Sequence, residues 1–306
     1  MSLPSSNRIV GLDFGGSAIK GGAITRSGEI LEQTSIPTEL ELGPSSVLDR
    51  AAAFARRLGA GADTPVGIGC PGLIARETGT IIESPNLPQL EGLALAQDLA
   101  HGLDLASDLV RLENDANVAA LGELWLGAAR GRRNVLVLTL GTGIGGGLIL
   151  DGSLYSGPHG RAGEIGHVSI EPSAPPCTSG VPGCLEGFAS ATAATRRAHE
   201  RGLPLQDPGN LELLADIARA GPGPERELFG EIGRDLGHGL ALTSVLLDLT
   251  SYVFGGGFSA TLDLLEPGIR MGLEERSFGQ RETEILRAEL GPSAGWIGAA
   301  SLHRSS

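Results

Sequence analysis

One pattern restricts what this chain can fold into more than any other. An apolar, branched run, Asn134-Val-Leu-Val-Leu-Thr-Leu140, meets Gly141-Thr142-Gly143-Ile144-Gly145-Gly146-Gly147 and continues as Leu148-Ile-Leu150 before Asp151-Gly152. Alternation of strand-forming residues with a glycine turn, closed by Asp-Gly, is a hairpin signal. Glycine lets the backbone reach positive φ and lets a ligand approach the main-chain N–H groups, so such a turn suits phosphate. The same unit occurs at the start of the chain: Arg8–Phe14, Gly15-Gly16-Ser17, a strand through Ile24, a turn at Arg26-Ser27-Gly28-Glu29, and a third strand Ile30–Ile36. A plain hairpin accounts for either copy alone, whereas the repetition predicts two lobes of common plan with a phosphate loop each. A dinucleotide reading of Gly141, Gly143 and Gly146 requires a helix next, and the residues that follow read as a strand.

Length agrees with two lobes, since 306 residues exceed what one core usually spans. A net charge of −13 argues against a nucleic-acid or anionic-membrane surface and for anion binding at dedicated sites only. Three cysteines do not make a disulfide framework, which favours a reducing compartment. Met1-Ser-Leu-Pro-Ser-Ser has no leader character, and no apolar run has the length of a membrane span.

Between and after the hairpins the pattern alternates strands and helices. Helices are expected at Ser45–Leu58, around Leu93–His101, after Asn117, at Glu186–Arg201, Leu211–Ala220, Glu225–Leu249 and Ala294–His303. Strands are expected at Thr64–Cys70, Thr80–Glu83, Leu109–Leu112 and Thr250–Phe254. The glycines within Glu225–Leu249 imply close helix packing, with His238 a packing residue. Ser84-Pro85-Asn86-Leu87-Pro88 reads as a loop able to bind a ligand.

Chemistry-bearing residues gather at strand ends. Glu113-Asn114-Asp115-Ala116-Asn117 joins a strand to a helix. Asp115 there is either an N-cap or a general base, two roles that are compatible. Gly163-Glu164-Ile-Gly166-His167 can aim a carboxylate and an imidazole at one polar ligand. Cys177 and Cys184, seven apart among glycines, form with His167 three candidate zinc ligands, one short of a closed structural site.

Together, Asp13-Phe-Gly15-Gly16-Ser17, Glu113-Asn114-Asp115-Ala116-Asn117, Gly141-Thr142-Gly143, Gly163-Glu164-Ile-Gly166-His167, Gly183-Cys184-Leu-Glu186 and Gly255-Gly256-Gly257 stand in the order seen in the ROK sugar kinases. The chain resembles that family from about Arg8 to its last helix. The resemblance implies a two-lobed α/β fold of the actin-like, hexokinase (ribonuclease H-like) type with an interlobe cleft. The expected lobes are 1–115 plus 294–306, and 116–293. It further implies an ATP- and Mg²⁺-dependent hexose kinase, glucokinase-like, acting at the sugar O6. Fructose, N-acetylglucosamine and N-acetylmannosamine are alternative acceptors and polyphosphate an alternative donor. By resemblance Asp115 is the base, and Asn86, Asn114, Glu164, His167 and Glu186 are sugar ligands. Gly15, Gly16, Ser17, Gly141, Thr142 and Gly143 form phosphate loops, Gly256 and Gly257 lie against adenosine, and Asp13 helps hold Mg²⁺. Zn²⁺ through His167, Cys177 and Cys184 stays open, because Ser179 occupies the place of the family's middle cysteine. A cytoplasmic homodimer is the family expectation. A sugar-responsive repressor is disfavoured, since about a dozen residues precede Asp13 and the net charge is acidic.

Overall fold

The computed structural model describes residues 7–177, 179–205, 211–279 and 282–304. The leader-free start read from residues 1–6 lies outside them. The first glycine turn joins β1 (Arg8–Phe14) to β2 (Ala18–Thr25), and β3 (Ile30–Pro37) completes an antiparallel meander. Then come α1 (Pro44–Arg57), β4 (Val66–Cys70), a small hairpin of β5 (Leu73–Ala75) and β6 (Thr80–Glu83), and α2 (Leu95–Leu103). β7 (Val110–Asn114) leads directly into α3 (Asp115–Leu126). The sheet runs β3-β2-β1-β4-β7, with β4 and β7 parallel to β1.

The second meander is β8 (Val135–Leu140), β9 (Ile144–Leu150) and β10 (Ser153–Leu154). It is followed by α4 (Glu186–Ala189), α5 (Ala191–Glu200), α6 (Glu212–Ala220), α7 (Pro224–Leu247), β11 (Ser251–Gly255), α8 (Leu262–Arg276), β12 (Glu284–Arg287) and α9 (Ala294–Ser301). Its sheet runs β10-β9-β8-β11-β12, with β11 parallel to β8 and to β12. Strand for strand this repeats the first sheet, as the doubled hairpin predicts.

Contacts divide the chain into two compact units: Met1–Arg133 with Gly147–Ala162 and Glu289–Ser306, and Asn134–Gly146 with Gly163–Ala288. The first unit therefore takes in α3 and the end of the second meander, which the expected boundary at residue 115 assigns elsewhere. Packing within that unit gives the reason. Gly298 in α9 faces α3 so closely that a Cβ there would stand 1.6 Å from the Val118 carbonyl oxygen. On one sheet face Val10, Leu12, Phe14 and Ile68 bury against Val47, Phe54 and Leu99 of the helices, burial that drives the fold. The other face is lined by Gly11 and Gly67, where a Cβ would meet Trp296 and Ala299 carbonyl oxygens at 1.9 and 1.8 Å. Bare backbone on this face lets α9 lie directly on the sheet.

In the second unit α7 and α8 pack through glycine as the sequence implies: a Cβ at Gly233 or Gly237 would meet the Leu265 or Ile269 carbonyl oxygen at 2.1 or 2.3 Å. His238, expected to pack, is half-buried on α7 with its Nε2 2.8 Å from Glu275 of α8. Four expectations need correction. Gly145, Gly146 and Gly147 lie inside β9, not in the turn, and Gly146 admits the Gly163 carbonyl where a Cβ would stand 2.4 Å away. The helix expected over Glu186–Arg201 breaks at Ser190, whose hydroxyl caps α5 by accepting from the Ala193 N–H. Neither α8 nor β12 was read from the sequence; Pro267 inside α8 interrupts the helical pattern. Cys177 and Cys184, read as reduced, form a disulfide with Cα atoms 6.0 Å apart. Bridges Ser169↔Cys184 and Pro176↔Pro182 fold that loop back on itself and bring the two together. Among the described residues no helix is long and apolar enough to cross a membrane.

Candidate active site

The carboxyl ends of β1, β4 and β7 are adjacent in the first sheet, and the polar residues of the first unit collect there. Asn114, the last residue of β7, is the N-cap of α3. Its Oδ1 accepts from the Ala116 and Asn117 N–H groups at 2.9 and 3.1 Å, and its Nδ2 donates to the Gly72 carbonyl at 3.0 Å. The cap expected at Asp115 is thus one residue earlier, because Asn114 keeps extended backbone geometry while Asp115 is already helical. Asp115 Oδ1 also accepts from Ala116 N–H at 2.9 Å. Burial raises the Asp115 carboxyl above its ordinary range, with hydrogen bonds from the Ala116 and Asp115 N–H groups and from Asn114 opposing.

Asp13, near the end of β1, is held up to about 6, chiefly by burial and then by the Asp115 charge, while Lys20 pulls it back. Lys20 is its direct cross-strand partner on β2, so the two side chains share a sheet face. Gly295 in α9 makes room for this carboxylate: a Cβ there would stand 2.5 Å from Asp13 Oδ2. Cys70 ends β4 alongside; burial first, then Asp115 and Asp13, drive its thiol well above the ordinary range, so it stays protonated. The Gly15-Gly16-Ser17 turn is braced by Thr38, whose Oγ1 donates to the Gly15 carbonyl at 2.6 Å and whose N–H donates to Ser17 O at 3.1 Å. Asn86 is exposed beside it, its carbonyl oxygen 3.4 Å from where a Gly16 Cβ would be.

Two residues beneath this constellation escaped the sequence reading. Glu113 is buried, accepts from the Asn114 N–H and from Asn117 Nδ2 (both 2.9 Å), and lies 2.7 Å from Arg76 Nε. Arg76 also donates to Ser156. A buried carboxylate this far inside a strand end, with an arginine in a neighbouring loop, fixes the backbone from which Asp115 projects.

In the second unit, Gly141 N–H donates to Gly143 O at 2.9 Å, and the turn is pinned to the start of α5. Ala191 N–H donates to Gly141 O, and Thr192 Oγ1 to Thr142 O, each at 2.8 Å. Thr142 itself is exposed. Glu186, at the start of α4, accepts from Ile144 N–H at 2.9 Å, and its carboxylate fills the space that a Gly143 Cβ would take, 2.3 Å away. Glu164 and His167 flank a short turn with 3.8 Å between carboxylate and Nε2. Gly256 has φ of 81° and lies against Leu140, where a Cβ would be 2.2 Å from the carbonyl oxygen; Gly257 follows with open space before its Cα.

The three zinc candidates do come together: donor atoms of His167, Cys177 and Cys184 lie within 4.8 Å of one another. His167 Nδ1 is buried without a hydrogen-bond partner, as suits a ligand nitrogen. The disulfide, however, occupies both sulfurs, and Ser179 Oγ, 3.0 Å from Cys177 Sγ, offers only a hydroxyl where a third thiolate would complete the set.

The family model described as "ROK family" matches residues 9–306. A glucokinase of Thermotoga maritima is 34% identical over 309 residues, covering 96% of each chain. Among solved structures, a ROK hexokinase from Thermus thermophilus superposes with a TM-score of 0.81 at 32% identity, covering 96% of each chain. A ROK glucokinase from Streptomyces griseus, crystallised with glucose and AMPPNP, gives 0.79 at 31% identity, covering 98% of this chain and 100% of that one. The doubled meander, its paired glycine turns and the motifs on them carry the two-domain α/β fold of the actin-like sugar kinases, and this chain belongs to the ROK family.

Proposed function

We propose that this protein is an ATP-dependent hexose kinase that phosphorylates glucose at O6, with Asp115 as general base. The observation that carries the reading is Asp115 itself, a half-buried carboxylate at the carboxyl end of a parallel strand, raised by desolvation and oriented by the α3 N-terminus. Ligands of open α/β sheets gather at such ends. As the sugar oxygen attacks the terminal phosphorus, its proton passes to Asp115 and the P–O bond to the nucleoside diphosphate breaks. A carboxylate raised by burial is the better proton acceptor for this step. Asn86, Asn114, Glu164, His167 and Glu186 hydrogen-bond the sugar hydroxyls, each of which is both donor and acceptor.

The turns Gly15-Gly16-Ser17 and Gly141-Thr142-Gly143 hold the phosphates through backbone N–H groups other than those of Gly15 and Gly141, which donate to Ala18 O and Gly143 O and close the turns, and Gly256 and Gly257 lie against the adenosine. Such donors stabilise developing charge without reorganising. Two adjacent carboxylates, Asp13 and Asp115, suit a hard divalent cation, so Asp13 is assigned to Mg²⁺. When bound, Mg²⁺ supplies charge neutralisation on the transferred phosphate. Zn²⁺ at His167, Cys177 and Cys184 is assigned only to the reduced protein. A cytoplasmic homodimer completes the reading.

A coupled assay with Mg-ATP across glucose, fructose, N-acetylglucosamine and N-acetylmannosamine tests it. Turnover with glucose, yielding glucose 6-phosphate and stoichiometric ADP, is expected. No turnover on any of the four overturns the kinase assignment, and turnover on another sugar alone overturns the acceptor.

A further inference from the structure

Cys177 and Cys184, seven residues apart, enclose Ser179, Gly180, Pro182 and Gly183, residue types that turn easily and bury little. The turn is tight: Gly180 N–H donates to Cys177 O at 2.9 Å and Cys177 N–H to Val181 O at 3.0 Å. On its far side Cys184 is buried and bridges to Ser169. Ile170 N–H donates to Gly183 O and Leu185 N–H to Val168 O, each at 2.9 Å. The disulfide is thus fastened to the segment that leaves His167 and to the segment that enters Glu186. Glu186 carries the connection on by accepting from Ile144 N–H at 2.9 Å, beside the glycine turn.

Two chemistries can clasp such a loop. A closed zinc site needs four strong ligands, and Ser179 supplies only a hydroxyl to the set of His167, Cys177 and Cys184. A disulfide needs the two sulfurs alone. Cys184 is buried while Cys177 is partly exposed, so a thiolate from solvent reaches the bridge at the Cys177 sulfur. Disulfides in reducing compartments are mostly transient or redox-sensing, and accessible ones are the labile kind. We propose that Cys177 and Cys184 form a reversible thiol–disulfide site, which takes the place of a metal as the clasp of this loop and sets the affinity for sugar. A small thiol such as glutathione attacks Cys177 Sγ, and Cys184 leaves as a thiolate and takes up a proton. A second thiol then displaces the first from Cys177, so two thiols are oxidised to one disulfide as the protein's bridge is reduced. Reduction frees Cys184, and Glu186 two residues on, from the turn. It also changes the surroundings of His167, whose Nδ1 is buried without a partner in the bridged form. A disulfide has no hydrogen to give that nitrogen, whereas a thiol has. The inference deepens the sugar-kinase reading and rests on it for the ligand, though not for the bridge.

The test compares the whole protein in oxidised glutathione and in dithiothreitol, both with EDTA so that zinc cannot stand in for the bridge. After denaturation the oxidised protein should titrate one thiol, that of Cys70, and the reduced protein all three. Intact mass should show an internal bond and no glutathione adduct. Glucose affinity, measured by calorimetry, should weaken about tenfold on reduction and recover on reoxidation. Cys177→Ser should show the reduced affinity under both conditions. Amide hydrogen exchange over residues 168–170 and 183–186 should quicken on reduction. Three titratable thiols in oxidised glutathione, an adduct in place of the bridge, or one glucose affinity in both states overturns the proposal. If glucose binds in neither state, the acceptor reading fails and exchange decides the clasp. Faster exchange on reduction then upholds it, and equal exchange removes it.

Discussion

The two glycine hairpins share a three-residue turn and the same topology, yet they carry different residues. Asp13-Phe14-Gly15-Gly16-Ser17-Ala18-Ile19-Lys20 of the first aligns with Thr139-Leu140-Gly141-Thr142-Gly143-Ile144-Gly145-Gly146 of the second. Where the first has a cross-strand carboxylate and ammonium, the second has a hydroxyl and a bare glycine. The neighbouring strand ends differ likewise: β7 ends in Asn114 and runs into Asp115, whereas its counterpart β12 ends at Arg287 with no helix-capping carboxylate. One plan occurs twice, and on the proposed function the first copy's titrating pair serves the chemistry while the second copy's turn holds the ligand. Duplicate scaffolding does not duplicate function; the side chains at two or three register positions decide it.

This contrast can be broken at defined points. The largest effect is expected at Asp115→Asn, which keeps the hydrogen-bonding shape and removes the proton acceptor. Its kcat should fall by about 10²–10⁴ while glucose affinity, measured by calorimetry, changes little. Next is Asp13→Asn set against Thr139→Val. The Asp13 carboxyl rises from 3.8 to about 6 on folding. The folded state therefore binds its proton more tightly, and the ionised group costs stability above about pH 6 and nothing below the unfolded value. Metal-free D13N should unfold at higher denaturant at pH 8, by up to about 3 kcal/mol, with the gain gone at pH 4. T139V should show no such pH-dependent gain.

A smaller change is expected in the second hairpin, which acts through Glu186. Gly143→Ala pushes against that carboxylate and should raise KM for glucose about tenfold, with kcat less affected. Smallest is Thr38→Val, which removes the brace on the Gly15 carbonyl and should lower stability by about 1 kcal/mol in a denaturant titration.

Much of this was legible in the sequence because hairpins advertise themselves locally. Alternation plus glycine predicts strand, turn and strand without any tertiary information, and β1, β6 and α1 fall within two residues of expectation. What stayed hidden depends on packing. Pro267 masks α8, whose apolar stripe makes sense only once Gly233 and Gly237 of α7 are seen against it. Gly146 looks like turn material until the Gly163 carbonyl is found occupying its missing side chain. The roles of Glu113 and Arg76 were invisible because an ion pair between residues 113 and 76 leaves no local pattern. The cap at Asn114 turned on a single residue's backbone angles.

The pH dependence of kcat tests most directly the claim that ionised carboxylates of the first unit run the reaction. With saturating Mg-ATP and glucose, kcat should be level above neutrality and fall as the pH is lowered into the acid range, where carboxyls raised by burial take up protons, Asp115 foremost. The low residual rate of D115N should lack the Asp115 contribution to that fall. A wild-type kcat constant from pH 8 down to pH 4.5 would contradict the account.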